Sequence, residues 1–215
     1  MYPELINIII LTLKVSGTAL LISIVIGISL GMFLALRDFP FKKIVVGIIN
    51  TGMGLPPVVV GLLVMLFLWR GGPLGFLEMI YTPQAMIIAQ VILATPIIAG
   101  LTLATIQQIP QKMKWQAQAL GAKGWQLAWL LVKETRLSLL AAVMAGFGGI
   151  ISEVGAVMMV GGNIKGQTRV LTTAIVLESQ KGAFELAIAL SMVLLVLSFS
   201  VNFGLTMIQQ RTKRS

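Results

Sequence analysis

Five runs of apolar residues, each long enough to cross a lipid bilayer, dominate the sequence and leave few architectures open. They cover about residues 8–37, 43–69, 84–107, 134–161 and 185–209, and a helix needs roughly 20 apolar residues to traverse the hydrocarbon core. Inside lipid every backbone N–H and C=O must find its partner within the protein, so runs of this length fold as helices. Composition agrees: 57% of the 215 residues are hydrophobic, 11% are charged and the mean hydropathy is +0.97, far from the balance of a soluble domain. The sequence therefore predicts an all-α integral membrane protein. It reads as a single domain over residues 1–215, with a polar loop at 108–133 and a re-entrant or interfacial segment at 162–184. Within that segment, Val170–Leu177 is too short to cross.

Histidine and cysteine are absent, which removes imidazole bases, thiol nucleophiles, disulfides and most transition-metal sites. No catalytic residue, metal or cofactor is expected in this chain. The net charge of +9 raises nucleic acid as a partner, but the cations sit in short loops beside apolar spans, where topology accounts for them. With the polar loop cytoplasmic, that side holds Arg37, Lys42, Lys43, Lys112, Lys114, Lys123, Lys133, Arg136, Arg211, Lys213 and Arg214. Lys14, Arg70, Lys165, Arg169 and Lys181 fall outside or at the outer end. Positive charge concentrates inside, which predicts an outer N-terminus and a cytoplasmic C-terminus.

Two spans are irregular. The second contains Asn50, Thr51, Gly52, Gly54, Pro56 and Pro57 near its middle; consecutive prolines remove two donors and interrupt the helix. Broken backbone at membrane depth is tolerated where it is buried in protein or lines a wet cavity, so Asn50, Thr51, Gly54, Pro56 and Pro57 are candidates for a translocation path; a simple packing kink is the alternative. The fourth span embeds Glu153 in ISEVGAVMMVGGN. A charge there costs at least about 2.5 kcal/mol unless a partner, water or a proton compensates it. Ser152, Glu153 and Gly155 join the path candidates, with Glu153 either a gating residue or a structural acid bonded to freed backbone donors. In the first span Ala19, Ser23, Gly27, Gly31 and Ala35 recur every fourth residue, a stripe for close helix packing within the chain or across a dimer. Lys165 and Arg169 mark the outer mouth, to attract an anion, to dock a binding protein or simply to face solvent.

The longest polar interval is Gln107–Arg136, with five cations against one acid. Its centre, Gln116–Trp125, reads as a short helix with a small apolar face at Ala117, Leu120 and Gly121. That face suits another protein; alternatively, with Trp115 and Trp125, it suits the lipid headgroups. Gly121 also fits a helix stop.

The stretch QALGAKGWQLAWLLVKETR resembles the cytoplasmic loop of ABC-transporter permeases, with Ala117, Leu120, Gly121 and Ala122 on its pattern and KETR departing from it. GLPPVVVGL and SEVGAVMMVGGNIKGQTRVLTTAI are similar to the molybdate/tungstate class of these permeases, and the departure resembles its tungstate branch. The resemblance covers nearly the whole chain. It implies a type I importer-like permease core of five helices, in which Ala117, Leu120, Gly121 and Ala122 form a coupling helix against a separate ATPase. It further implies a homodimer with two ATPase subunits and an extracytoplasmic oxyanion-binding protein, in a prokaryotic cell membrane. The chain has no G-x-x-x-x-G-K-[ST] phosphate loop, so ATP and its magnesium belong to the partner. An ion-coupled secondary transporter is the rival reading, with Glu153 as its sole embedded ionisable group and no inverted repeat in the sequence to support it.

Overall fold

The structure, a computed structural model, describes residues 2–212. Lys213, Arg214 and the side chain of Arg211, counted above for orientation, lie outside the described residues. All regular structure among the described residues is helical: α1 Tyr2–Leu36, α2 Lys42–Gly52, α3 Pro57–Leu68, α4 Pro83–Gln107, α5 Gln111–Ala119, α6 Gly124–Glu134, α7 Arg136–Ile151, α8 Gly155–Gly161, α9 Leu171–Gln180 and α10 Phe184–Thr212. Three of these are long and apolar enough to cross a membrane unaided: α1, α4 and α10. Two bent pairs, α2 with α3 and α7 with α8, raise that number to as many as five if each pair counts as one span.

The centre of the bundle is the α1–α4 pair, which runs in parallel. A Cβ on Gly27 would stand 2.9 Å from Ile98, and one on Gly31 would stand 2.6 Å from the Ala99 carbonyl oxygen. The small-residue stripe of α1 therefore packs within the chain, because only residues without bulk let the backbones approach this closely. Antiparallel to α4, α7 brings Gly146 against Ile98 and its Ile150 carbonyl oxygen to the Gln90 amide at 3.3 Å. The outermost helix is α10, whose Ile188, Leu195, Val196 and Phe199 are exposed, the pattern of a lipid-facing surface.

The spans end where local chemistry ends them, not always where hydropathy does. α1 starts at Tyr2, so Lys14 lies within the helix, exposed along its side, and not at its outer end. The turn to α2 is closed by the Lys42 ammonium on Asp38 at 2.8 Å, a pair that holds the Asp38 carboxyl below its ordinary range, first by that hydrogen bond and then by Coulombic attraction. The fourth span is not continuous: Ser152–Val154 breaks it with a bend of 55°. In the segment read as re-entrant or interfacial, the helix is longer than Val170–Leu177: α9 runs Leu171–Gln180 and buries Leu171–Ala174. Its first N–H donates to the Thr12 hydroxyl oxygen of α1 at 3.0 Å, so an isolated surface helix is not what forms.

Candidate functional site: paired helix breaks and a polar helical hairpin

Both interrupted spans break beside each other. In the second, Asn50, Thr51 and Gly52 stay helical, and the break is confined to Met53–Pro56, where the chain turns through 107°. Pro56 is extended at φ −62°, ψ 120°, and Pro57 opens α3, a position where its missing N–H costs nothing. On the far side of the turn Gly52 presses against Pro96 of α4, 2.9 Å from a Cβ placed there. α3 then runs parallel to α8. A Cβ on Gly61 would meet the Ala156 Cα at 2.6 Å, and one on Gly155 would meet Val58 at 2.5 Å. Two helix N-termini thus lie side by side at the breaks, and the positive ends of their dipoles favour negative charge there.

Glu153 sits in the second break, buried at 8% exposure. Its carboxylate oxygen accepts from the Ala156 N–H at 2.8 Å, and its backbone carbonyl accepts from the Thr172 hydroxyl at 2.9 Å. The freed donors that compensate the acid belong to its own span, not to the second one: the side chain caps α8 and is the local reason the helix restarts. Glu153→Gln keeps an acceptor oxygen for that N–H, whereas Glu153→Leu leaves a buried donor without a partner. The leucine variant is expected to lose about 1–3 kcal/mol and the glutamine variant well under 1, as measured by thermal unfolding in detergent. Equal losses would mean that the charge, not the acceptor, matters.

The other path candidates are open to the outside of the chain. Asn50, Thr51, Gly54, Pro56, Pro57 and Ser152 are all exposed. The Thr51 and Ser152 hydroxyls donate to the carbonyls of Gly47 (2.9 Å) and Gly148 (2.7 Å), so their protons are committed locally. The Asn50 amide has no hydrogen-bond partner among the described residues. One residue missed in the sequence is Gln90. Its buried amide holds the Ile150 carbonyl just before the break, and a lone glutamine inside an apolar run was the available signal.

At the opposite end from α9, the polar loop forms a helical hairpin. The expected helix at Gln116–Trp125 is displaced: α5 covers Gln111–Ala119 and α6 starts at Gly124. Gly121, at φ +84°, stops α5 in a Schellman turn. The Gly121 N–H donates to the Gln118 carbonyl at 2.9 Å and the Ala122 N–H to the Ala117 carbonyl at 3.0 Å. Ala117 is buried on Met32, Ile106, Leu127 and Leu131, with Ala122 packed against the same cluster. Leu120 is 89% exposed, and a Cβ on Gly121 would meet nothing within 4 Å. Of the four residues, Ala117 and Ala122 hold the hairpin to its own chain, while Leu120 and Gly121 face outward.

At the other end of the bundle, Lys165 pairs with Glu4 at 3.0 Å. Arg169 lies 3.9 Å from the same carboxylate and donates to the Asn163 side-chain oxygen at 3.3 Å. Both cations are partly neutralised by the start of α1.

A bundle of long apolar helices, two of its helix pairs broken side by side, with a polar helical hairpin at one end, is the architecture of a polytopic membrane protein. The chain belongs to the family of binding-protein-dependent transport system inner membrane components, which it matches over residues 23–214. Among its relatives is a probable anion ABC transporter permease protein of Haloferax volcanii, 43% identical over 92% of this chain and 88% of that one. Another is the tungstate uptake system permease protein TupB of Peptoclostridium acidaminophilum, 41% identical over 97% of this chain and 91% of the relative. The fold is that of type I ABC importer permeases. An inward-facing structure of the MetNI methionine ABC transporter superposes with a TM-score of 0.79 at 20% identity, covering 97% of this chain and 95% of that one.

Proposed function

We propose that this chain is the membrane-spanning subunit of an ATP-driven oxyanion importer whose cargo is tungstate. The observation that carries the cargo is the 41% identity, along nearly the full length, to a permease named for tungstate uptake. In this reading the chain works as a homodimer with two separate ATPase subunits, on which ATP and its magnesium bind, and with an extracytoplasmic oxyanion-binding protein. The N-terminus lies outside, the hairpin and C-terminus in the cytoplasm. The exposed surface around the two breaks faces the second copy and encloses the path. A dianion passing there meets two helix N-termini and the Asn50 amide, donors strong enough to replace water without a fixed cation that would trap it. Nucleotide-driven closure of the ATPase pair moves the two α5–α6 hairpins and rocks the broken spans between inward- and outward-facing states.

The test is metal accumulation, measured by elemental mass spectrometry in cells lacking this chain and in cells resupplied with it. Tungsten uptake that disappears and returns with the chain is expected. Molybdenum alone following the chain would move the cargo to molybdate, and neither following it would overturn the importer reading. Tagged chain recovered from native membranes should carry an ATPase with it; an ion-coupled transporter would not.

A further inference from the structure

Trp125 and Trp129 are 70% and 68% exposed, four residues apart on α6, with the exposed Lys133 four residues further along the same face. Beneath the two rings lies a groove of about 450 Å³ lined by Ile28, Ser29 and Met32 of α1 together with Ala128 and Val132. Met32 is five residues and Ile28 nine residues before Arg37, the first charge after α1. At 1.5 Å per residue these positions lie about 7 and about 13 Å along the helix inside the membrane boundary. An interfacial helix buries its apolar face about 5–10 Å into the boundary between headgroups and acyl chains, a range that overlaps these positions if the boundary lies near Arg37. The groove is also continuous with the outer face of α1, where Leu21, Val25, Ser29 and Phe33 follow one another at four-residue spacing and all are exposed.

We propose that this groove binds a phospholipid with an anionic headgroup, from the leaflet on the α6 side. One acyl chain lies between the two tryptophans and α1 and continues along the Leu21–Phe33 stripe. The indole rings take the position that amphipathic rings favour at a bilayer interface. The phosphate is held at Lys133, in a segment whose cations, Lys112, Lys114, Lys123, Lys133 and Arg136, face a single acid, Glu134. The excess of positive charge selects an anionic over a zwitterionic headgroup. The lipid would fasten the root of the hairpin to the membrane while its Leu120–Gly121 tip stays in water.

The test uses the full chain with Trp69→Phe and Trp115→Phe, reconstituted in phosphatidylcholine nanodiscs. Acyl-brominated phosphatidylglycerol or acyl-brominated phosphatidylcholine is titrated in while the fluorescence of Trp125 and Trp129 is followed. Brominated phosphatidylglycerol is expected to reach half-quenching at a mole fraction about fivefold lower, the factor a single surface cation supplies. Lys133→Ala should remove that preference and Lys133→Arg should keep it. Equal quenching by the two lipids would overturn the headgroup site. Quenching by aqueous acrylamide without quenching by either brominated lipid would overturn lipid contact altogether.

Discussion

Leu120→Asp is expected to abolish uptake while leaving the chain folded and inserted. Leu120 stands 89% exposed on the turn between α5 and α6, and a large apolar side chain held there has nothing of its own chain to cover. The residues behind it explain why it stays out. Ala117 and Ala122 pack on the Met32–Ile106–Leu127–Leu131 cluster, and the Schellman bonds at Gly121 fix the turn that projects the leucine. On the proposed coupling role, this leucine becoming a carboxylate would lose its contact with the ATPase and introduce an unpaired charge. A hot-spot loss of about 2 kcal/mol corresponds to roughly thirtyfold weaker ATPase binding. The measurement is copurification of the ATPase with the variant, alongside transport. Ala117→Asp serves as contrast: it should loosen the hairpin itself, because that position is buried. Normal uptake by Leu120→Asp would remove this turn from the coupling surface.

That contrast also marks where the sequence could be read and where it could not. The all-helical fold follows from length and hydropathy alone, since lipid enforces helical backbone at every apolar run. Pro56 and Pro57 located the first break within a residue or two, because proline acts locally. The second break was hidden. Ser152 and Val154 carry no breaking signal, and Glu153 reads as a charge in need of a partner until the coordinates place its carboxylate on the Ala156 N–H. The periodicity around Gln116–Trp125 put a helix across Gly121 because a four-residue repeat does not encode φ, whereas the αL conformation at that glycine ends the helix. For the same reason the four residues grouped from the resemblance divide into two inward and two outward. What no single sequence could supply is the side-by-side placement of the breaks, which depends on Gly61 and Gly155 allowing α3 and α8 to touch.

Gly31→Leu is expected to prevent assembly of the bundle. Two spans meet at this point with almost no side chain between them. A single Cβ on Gly31 would lie 2.6 Å from the Ala99 carbonyl oxygen and 2.7 Å from the Thr102 Cβ. The first obstacle is backbone, so no rotamer change relieves it; α1 would have to move away from α4 as a rigid unit. That shift opens the α1–α4 seam from Val15 against Ala85 and Ala89 at one end to Met32 against Ile106 at the other. The loss should therefore exceed the roughly 3 kcal/mol that marks the upper range of ordinary overpacking. Gly17→Leu, on the same helix, is the matched control. A Cβ there meets nothing within 4 Å, so the substitution adds the same side chain without the collision. Membrane yield and detergent thermal unfolding should place Gly17→Leu near the parent chain and leave Gly31→Leu without a cooperative transition. Comparable melting of the two would mean that α1 and α4 tolerate separation, and that the small-residue stripe serves contacts outside this chain.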